Sequence, residues 1–215
     1  MSLHFAFLAL GLLAAAACLP FAGGTRGPGM AMLKTVPMIA FTGAAISGGA
    51  PAYLAAALVL SALGDFALAR PGRAAFLYGL SAFGLAHLVF IVLFQSLGGA
   101  QILEAFATAP PLASGLLLLA LSTEVWLAPY AGRLAWPLRG YIVLITGMGL
   151  AALALPAGLG LVTTGAALFI ASDLILALRL FRMAKRASTA RPAARMLWAL
   201  YISGQALIVI GLLPV

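Results

Sequence analysis

Apolar residues run along this chain in eight long stretches, broken by short segments that hold most of the Pro, Arg and Lys. The stretches are too long for strands and too evenly apolar for the helices of a soluble bundle. They predict α-helices that cross a bilayer, where every backbone polar group must be satisfied within its own helix. The predicted helices cover about 3–20, 30–47, 51–70, 74–96, 110–127, 136–155, 157–181 and 194–213. Pro51, Pro110, Pro111 and Pro156 fall at helix starts, where a missing N–H is harmless. Pro37 falls inside the second helix and predicts a kink there. Frequent Gly and Ala suit close helix contacts in lipid. The expected fold is an all-α integral membrane protein. It is a single domain over residues 1–215, a bundle of eight transmembrane helices.

The breaks between stretches differ in charge. The first carries Arg26 and Lys34, the third Arg70 and Arg73, and the fifth Arg133 and Arg139. The seventh carries or is flanked by Arg179, Arg182, Lys185, Arg186, Arg191 and Arg195. No Lys or Arg falls in the even-numbered breaks, and one of these holds Glu104. By the positive-inside rule the odd breaks are cytoplasmic and both termini are periplasmic, in a bacterial inner membrane. Trp126, Tyr130, Trp136 and Trp198 are then expected to form an aromatic belt at the cytoplasmic interface.

Composition narrows the class. Of 215 residues, 65% are hydrophobic and only 7% charged, which leaves no room for a separate soluble domain. The net charge of +8 sits in loops at regular intervals, so it reads as membrane orientation and not as a nucleic-acid surface. One cysteine, Cys18, excludes an internal disulfide and a cysteine-based metal cluster. The first apolar run resembles a signal peptide in length. Its leading residues hold His4 but no Lys or Arg, so it is expected to be a retained helix.

Candidate chemistry concentrates in two similar segments. Gly64-Asp65-Phe66-Ala67-Leu68-Ala69 and Ser172-Asp173-Leu174-Ile175-Leu176-Ala177 each place one carboxylate inside an apolar helix. Asp65 and Asp173 are the only aspartates in the chain. Intramembrane acids are costly and usually functional. The two lie four helices apart and point the same way, which a parallel 4+4 repeat would explain. In the predicted orientation both sit in the cytoplasmic half, roughly one to two turns deep at about 1.5 Å per residue. Lys34, Glu124, Tyr141, Ser172, Tyr201 and Gln205 share that half, and His87 lies near the middle. The outer half is nearly free of polar residues. The pattern predicts a pocket open to the cytoplasm or inner leaflet, with Asp65 and Asp173 facing each other across it.

Structural roles compete with this reading. Arg70 and Arg179 lie about a turn beyond the aspartates and could pair with them locally. Lys34 could snorkel to the interface. His87 could be a hydrogen-bonded core residue. Tyr141 and Tyr201 could be interface anchors, and Glu124 could reach the headgroups. Asp65, His87, Glu124 and Asp173 could converge, but there is no His pair at helical spacing to support a metal site, and no nucleophile elbow is present. What remains is a carboxylate pair with donors nearby, suited to acid–base chemistry or proton coupling.

The same residues form an ordered set of motifs. Lys34-Thr35-Val36-Pro37 enters the second helix, and Ser61-x-x-Gly64-Asp65 lies in the third. Phe76-x-x-Gly79-x-x-Ala82-Phe83-x-x-x-His87 lies in the fourth, and Tyr141 opens the sixth. Gly165-Ala166-x-Leu168-Phe169-x-x-Ser172-Asp173 marks the seventh, and Tyr201-x-x-x-Gln205 the eighth. In this order and placement, over nearly the whole chain, the sequence resembles the YhhN/TMEM86 family of eight-helix membrane proteins, whose characterised members are lysoplasmalogenases.

The resemblance implies hydrolysis of the vinyl ether bond of lysoplasmalogen, a 1-alkenyl lysophospholipid. The products are a fatty aldehyde and glycerophospho-ethanolamine or -choline. Vinyl ethers hydrolyse by protonation of the β-carbon, and water then traps the oxocarbenium ion. One carboxyl must supply the proton and another must stabilise the cation, a division set by environment and also found in glycosidases. Asp65 and Asp173 are the expected catalytic pair. Lys34 is the candidate for the substrate phosphate, with His87, Glu124, Tyr141, Ser172, Tyr201 and Gln205 also lining the site. The expected partners are a lysophospholipid and the bilayer, and no metal or cofactor is required. The alternative is a proton-coupled transporter of lipid or small solutes that uses the aspartates as proton carriers.

Overall fold

The computed structural model of the chain describes residues 2–23, 27–98, 101–183 and 188–214. Its long helices are α1 (Leu3–Cys18), α2 (Pro28–Ser47), α3 (Ala52–Leu68), α4 (Arg73–Gly98), α6 (Pro110–Trp126), α8 (Ala135–Leu153), α9 (Gly160–Phe181) and α10 (Ala190–Leu212). All eight expected stretches are therefore helical. Two short helices, α5 (Ala105–Thr108) and α7 (Ala128–Ala131), lie in connections where none was expected. Among the described residues, six segments are long and apolar enough to cross a membrane: Leu3–Phe21, Pro28–Ser47, Arg73–Gly98, Ala128–Leu153, Ala157–Phe181 and Ala190–Leu212. Helix α3 is apolar but shorter.

The proline signals translate into local structure. Pro110 opens α6, Pro51 immediately precedes α3, and Pro28 starts α2 two residues before the expected position. Pro37 lies inside α2 and cannot donate to the carbonyl one turn back. That carbonyl, on Leu33, instead accepts from the Cys18 thiol of α1 at 3.6 Å.

Six helices form a closed ring in the order α2, α3, α4, α8, α9, α10, with α10 returning to α2. Helix α1 packs outside against α2, and α6 packs outside against α8. Glycine permits the tightest crossing. A Cβ on Gly165 of α9 would stand 2.6 Å from the Gly204 carbonyl oxygen of α10, and one on Gly204 would stand 2.7 Å from the Gly165 oxygen. The two backbones are in direct contact there, an approach open only to small residues.

The basic connections gather at one end of the bundle. Lys34 lies over the Trp198 ring, which joins the first to the seventh. The Arg182 guanidinium lies 3.9 Å from the Tyr130 ring centre, joining the seventh to the fifth. Leu68 and Phe76, on either side of the third, line one cavity with Leu134 and Phe181. Arg26, Lys185 and Arg186 fall outside the described residues. The aromatic belt needs one correction. Trp136 and Tyr130 are exposed, but Trp198 is buried and its indole N–H donates to the Ala15 carbonyl at 2.9 Å. It locks α10 to α1 instead of marking an interface.

Candidate functional site

The site begins where α3 meets α4. Gly64 carries no side chain, so the Phe83 ring lies against α3. A Cβ at Gly64 would stand 2.6 Å from that ring. This contact seats the segment that follows, and the Phe83 carbonyl one turn before His87 lies 2.6 Å from His87 Nδ1. A carbonyl only accepts, so Nδ1 carries the proton. His87 is fully buried, and its other ring nitrogen, Nε2, has no hydrogen-bond partner. It points to Asp173 of α9, with Nε2 3.4 Å from Oδ2. That is ion-pair distance without the alignment of a hydrogen bond.

Asp173 has a second partner. The Tyr141 hydroxyl of α8 donates to the same Oδ2 at 2.6 Å. The two residues lie in the wall of a half-open cavity lined mainly by α4, α6, α8 and α9. Leu, Ile, Ala and Phe side chains make most of that wall, and Thr123 and Thr146 are its other polar members. Ser172, beside Asp173, is not among the lining residues. Its hydroxyl donates to the Phe169 carbonyl of its own helix at 2.7 Å.

Asp65 occupies a second polar centre. Its Oδ2 accepts from the Tyr201 hydroxyl of α10 at 2.8 Å. Gln205, one turn further along α10, donates to Ser61 Oγ at 3.3 Å, and its fully buried Oε1 has no partner. The charges of Lys34 and Asp173 both reach Asp65. Between the two centres stand aromatic rings. Phe169 packs 4.8 Å from the His87 ring and 5.4 Å from the Tyr201 ring. Phe83 lies 5.8 Å from Tyr201 and also lines the cavity. Asp173 therefore lines the cavity, while Asp65 is not among its lining residues and sits behind Phe83.

The predicted residues thus sort by position. Asp65, Asp173, His87, Tyr141, Tyr201 and Gln205 come together from five helices. Lys34 lies at the margin, its Nζ 5.6 Å from the Trp198 ring centre. Glu124 is not brought in. It is exposed and accepts from Arg139 Nε at 2.8 Å and Nη2 at 2.7 Å, tying α6 to α8 at the surface. Local pairing is not how Asp65 is held, and Arg70 lies over the Phe66 ring instead. Among the described residues no group of three or more His, Cys, Asp or Glu could hold a metal ion. The sequence reading omitted Ser61, Phe83 and Phe169 from the site. Ser61 was signalled by its place one turn before Asp65. The two phenylalanines stood in the motifs, four residues before His87 and Asp173, but nothing in the pattern marked them as a partition within the site.

Chemically the arrangement offers one carboxyl at the edge of an apolar space, backed by a phenol and an imidazole. A second carboxyl stands behind an aromatic partition. Such a site can accept an apolar chain and exchange protons at its polar edge.

A family model described as the YhhN family matches residues 29–212. A pig protein named lysoplasmalogenase TMEM86B is 37% identical over 160 residues, which cover 70% of this chain and 63% of the relative. Proteins named lysoplasmalogenase from Mycobacterium bovis and Mycobacterium tuberculosis are each 33% identical over 167 residues, covering 74% of this chain and 59% of theirs. The chain thus spans about six-tenths of the length of these relatives. No solved structure matches.

Proposed function

The chain belongs to the YhhN family, and from that premise we propose that it is a lysoplasmalogenase-like hydrolase of 1-alkenyl lysophospholipids. The observation that carries the reading is the pairing of Asp173 and Tyr141 in the wall of an otherwise largely apolar, half-open cavity. A lysolipid tail already sits in hydrocarbon, so entering an apolar cavity costs it little. Selection then falls to the polar edge, where the vinyl ether must meet a proton donor. In the reaction, a carboxyl proton passes to the β-carbon and the π pair forms the new C–H bond. The oxocarbenium ion is stabilised by nearby carboxylate charge, water adds, and the hemiacetal breaks down to aldehyde and alcohol. Asp65 and Asp173 are the two carboxylates of this scheme, Asp173 at the cavity wall and Asp65 acting from behind Phe83. Tyr141, Tyr201, His87, Gln205 and Ser172 shape the site, and Lys34 meets the phosphate from the margin.

The protein is further read as eight spans in a bacterial inner membrane, with the basic end cytoplasmic. Support comes from the gathering of the described basic connections at one end, which is also where the cavity lies. A parallel 4+4 repeat is supported by the packing pattern. Helix α1 sits outside α2 as α6 sits outside α8, and the ring closes through α4–α8 and α10–α2. The aspartates follow suit, with Asp65 of α3 meeting α10 and Asp173 of α9 meeting α4.

The test is direct. Purified protein incubated with 1-alkenyl lysophosphatidylethanolamine should release fatty aldehyde, detected by mass spectrometry. Release of no aldehyde, with lipid or proton flux in proteoliposomes, would replace the hydrolase by a proton-coupled transporter.

A further inference from the structure

The two aspartates differ in what stands behind them. Asp173 faces the cavity and has a histidine at its back. Asp65 has a tyrosine donor and a lysine within electrostatic reach, and does not line the cavity. We propose that His87 and Asp173 hold one proton between them, and that this pair, not Asp65, delivers the proton to the substrate. This rests on the reading of the chain as a vinyl ether hydrolase.

The geometry leaves few arrangements. Nδ1 of His87 is committed as a donor to the Phe83 carbonyl at 2.6 Å. In the neutral ring Nε2 is therefore a bare acceptor. It is fully buried, has no hydrogen-bond partner, and lies 3.4 Å from Asp173 Oδ2. An acceptor fully buried against a largely buried carboxylate is unfavourable. A proton on Nε2, giving carboxylate with imidazolium, removes the conflict, and a proton on the carboxyl, giving carboxylic acid with imidazole, relieves it by removing the charge. Tyr141 already donates to Oδ2. Oδ1 has neither of these partners and is the oxygen free to carry the proton into the cavity.

The step balances without any further reactant than water. The Asp173 O–H bond breaks and a C–H bond forms at the β-carbon, leaving an oxocarbenium ion and a carboxylate. Water adds to the cationic carbon and gives up one proton, which returns to the Asp173–His87 pair. Collapse of the neutral hemiacetal moves one proton from its hydroxyl to the departing oxygen. His87 does not line the cavity, so it acts through Asp173 as a positioning residue and proton store. The titratable groups facing it are Asp173 from α9 and Tyr141 from α8, while Tyr201 of α10 lies across the Phe169 ring with Asp65 of α3 beyond it.

The test uses the full chain in detergent micelles with 1-alkenyl lysophosphatidylethanolamine. Rates are measured from about pH 5 to 9, the range in which histidine switches. His87→Gln should lower kcat by about 10²-fold, the lower end for general acid–base catalysis, with KM little changed. Gln hydrogen-bonds but takes up no proton, so one limb of the pH profile should also vanish. A folded His87→Gln variant with wild-type rate and profile overturns the proposal. Nitrogen-15 NMR of the imidazoles gives a second reading that needs no change at His87. The chain has only two histidines, and His4→Ala assigns them. The His87 Nε2 titration should move between wild type and Asp173→Asn, and an unmoved titration overturns the shared proton. A wild-type protein that releases no aldehyde overturns this inference and the hydrolase reading together. Wild-type activity with an indifferent His87→Gln overturns this inference alone.

Discussion

The Tyr141 hydroxyl donates to Oδ2 of Asp173 at 2.6 Å, joining side chains 32 residues apart on neighbouring helices. Without Asp173 the Tyr141 hydroxyl would lack a partner in this apolar wall, and without Tyr141 the carboxyl would keep only His87. Together they make a polar edge to a space otherwise shaped for hydrocarbon. The tyrosine leaves one carboxyl oxygen engaged and the other open, so the acid is held in place without being consumed.

The two aspartates should act as a unit. Asp65→Asn and Asp173→Asn should each lower kcat for aldehyde release by about 10²–10⁴-fold. The double variant should lose far less than the product of the two, because groups serving one transition state are non-additive. Folding should survive, since Asn can still accept from Tyr201 or Tyr141. Full activity in either folded single variant would remove that aspartate from the mechanism.

Lys34 should bind rather than react. It lies over Trp198 at the margin of the site, with its charge reaching Asp65. Lys34→Ala should raise KM more than it lowers kcat, because the phosphate is remote from the bond broken. A fall in kcat at constant KM would make Lys34 a partner of Asp65 instead.

The cavity should set chain fit. Ala120 lies in its wall on α6. Ala120→Phe fills space there without touching either aspartate. The KM for a long-chain substrate should rise about tenfold or more, since a single misfitted methylene in a pocket costs about 1–3 kcal/mol. Equal KM values for long-chain and short-chain substrates in this variant would show that the tail binds elsewhere.

The Gly165–Gly204 crossing should be intolerant. Gly165→Ala puts a methyl 2.6 Å from a backbone oxygen, which cannot rotate away. A cost of about 1–3 kcal/mol is expected for forced overpacking. It should appear as a lower apparent melting temperature in detergent. An unchanged melt would mean that α9 and α10 separate freely.

The orientation can be read in a bacterial host. Alkaline phosphatase fused after α10 should be active, because its end opposite the basic connections is read as periplasmic. Fluorescence of a green fluorescent protein at the same point, with silent phosphatase, would reverse the model.

Hydropathy alone was enough to place all eight long helices, because lipid demands an uninterrupted run of apolar residues whatever the neighbours are. It also singled out Asp65 and Asp173, since charge is conspicuous on an apolar ground, and their shared depth with Tyr141 and Tyr201 followed from counting residues. Depth, however, is not direction. Glu124 and Tyr141 were expected in the same half, yet one faces Arg139 at the surface and the other faces Asp173. Trp198 read as an interface residue but is buried against α1. A helix that is apolar all round carries little record of which side meets a partner. The tertiary structure therefore decided the ring order, the aromatic partition of Phe83 and Phe169, and the position of Asp173 at the cavity with His87 behind it. These depend on contacts between residues far apart in the chain, which no local pattern encodes.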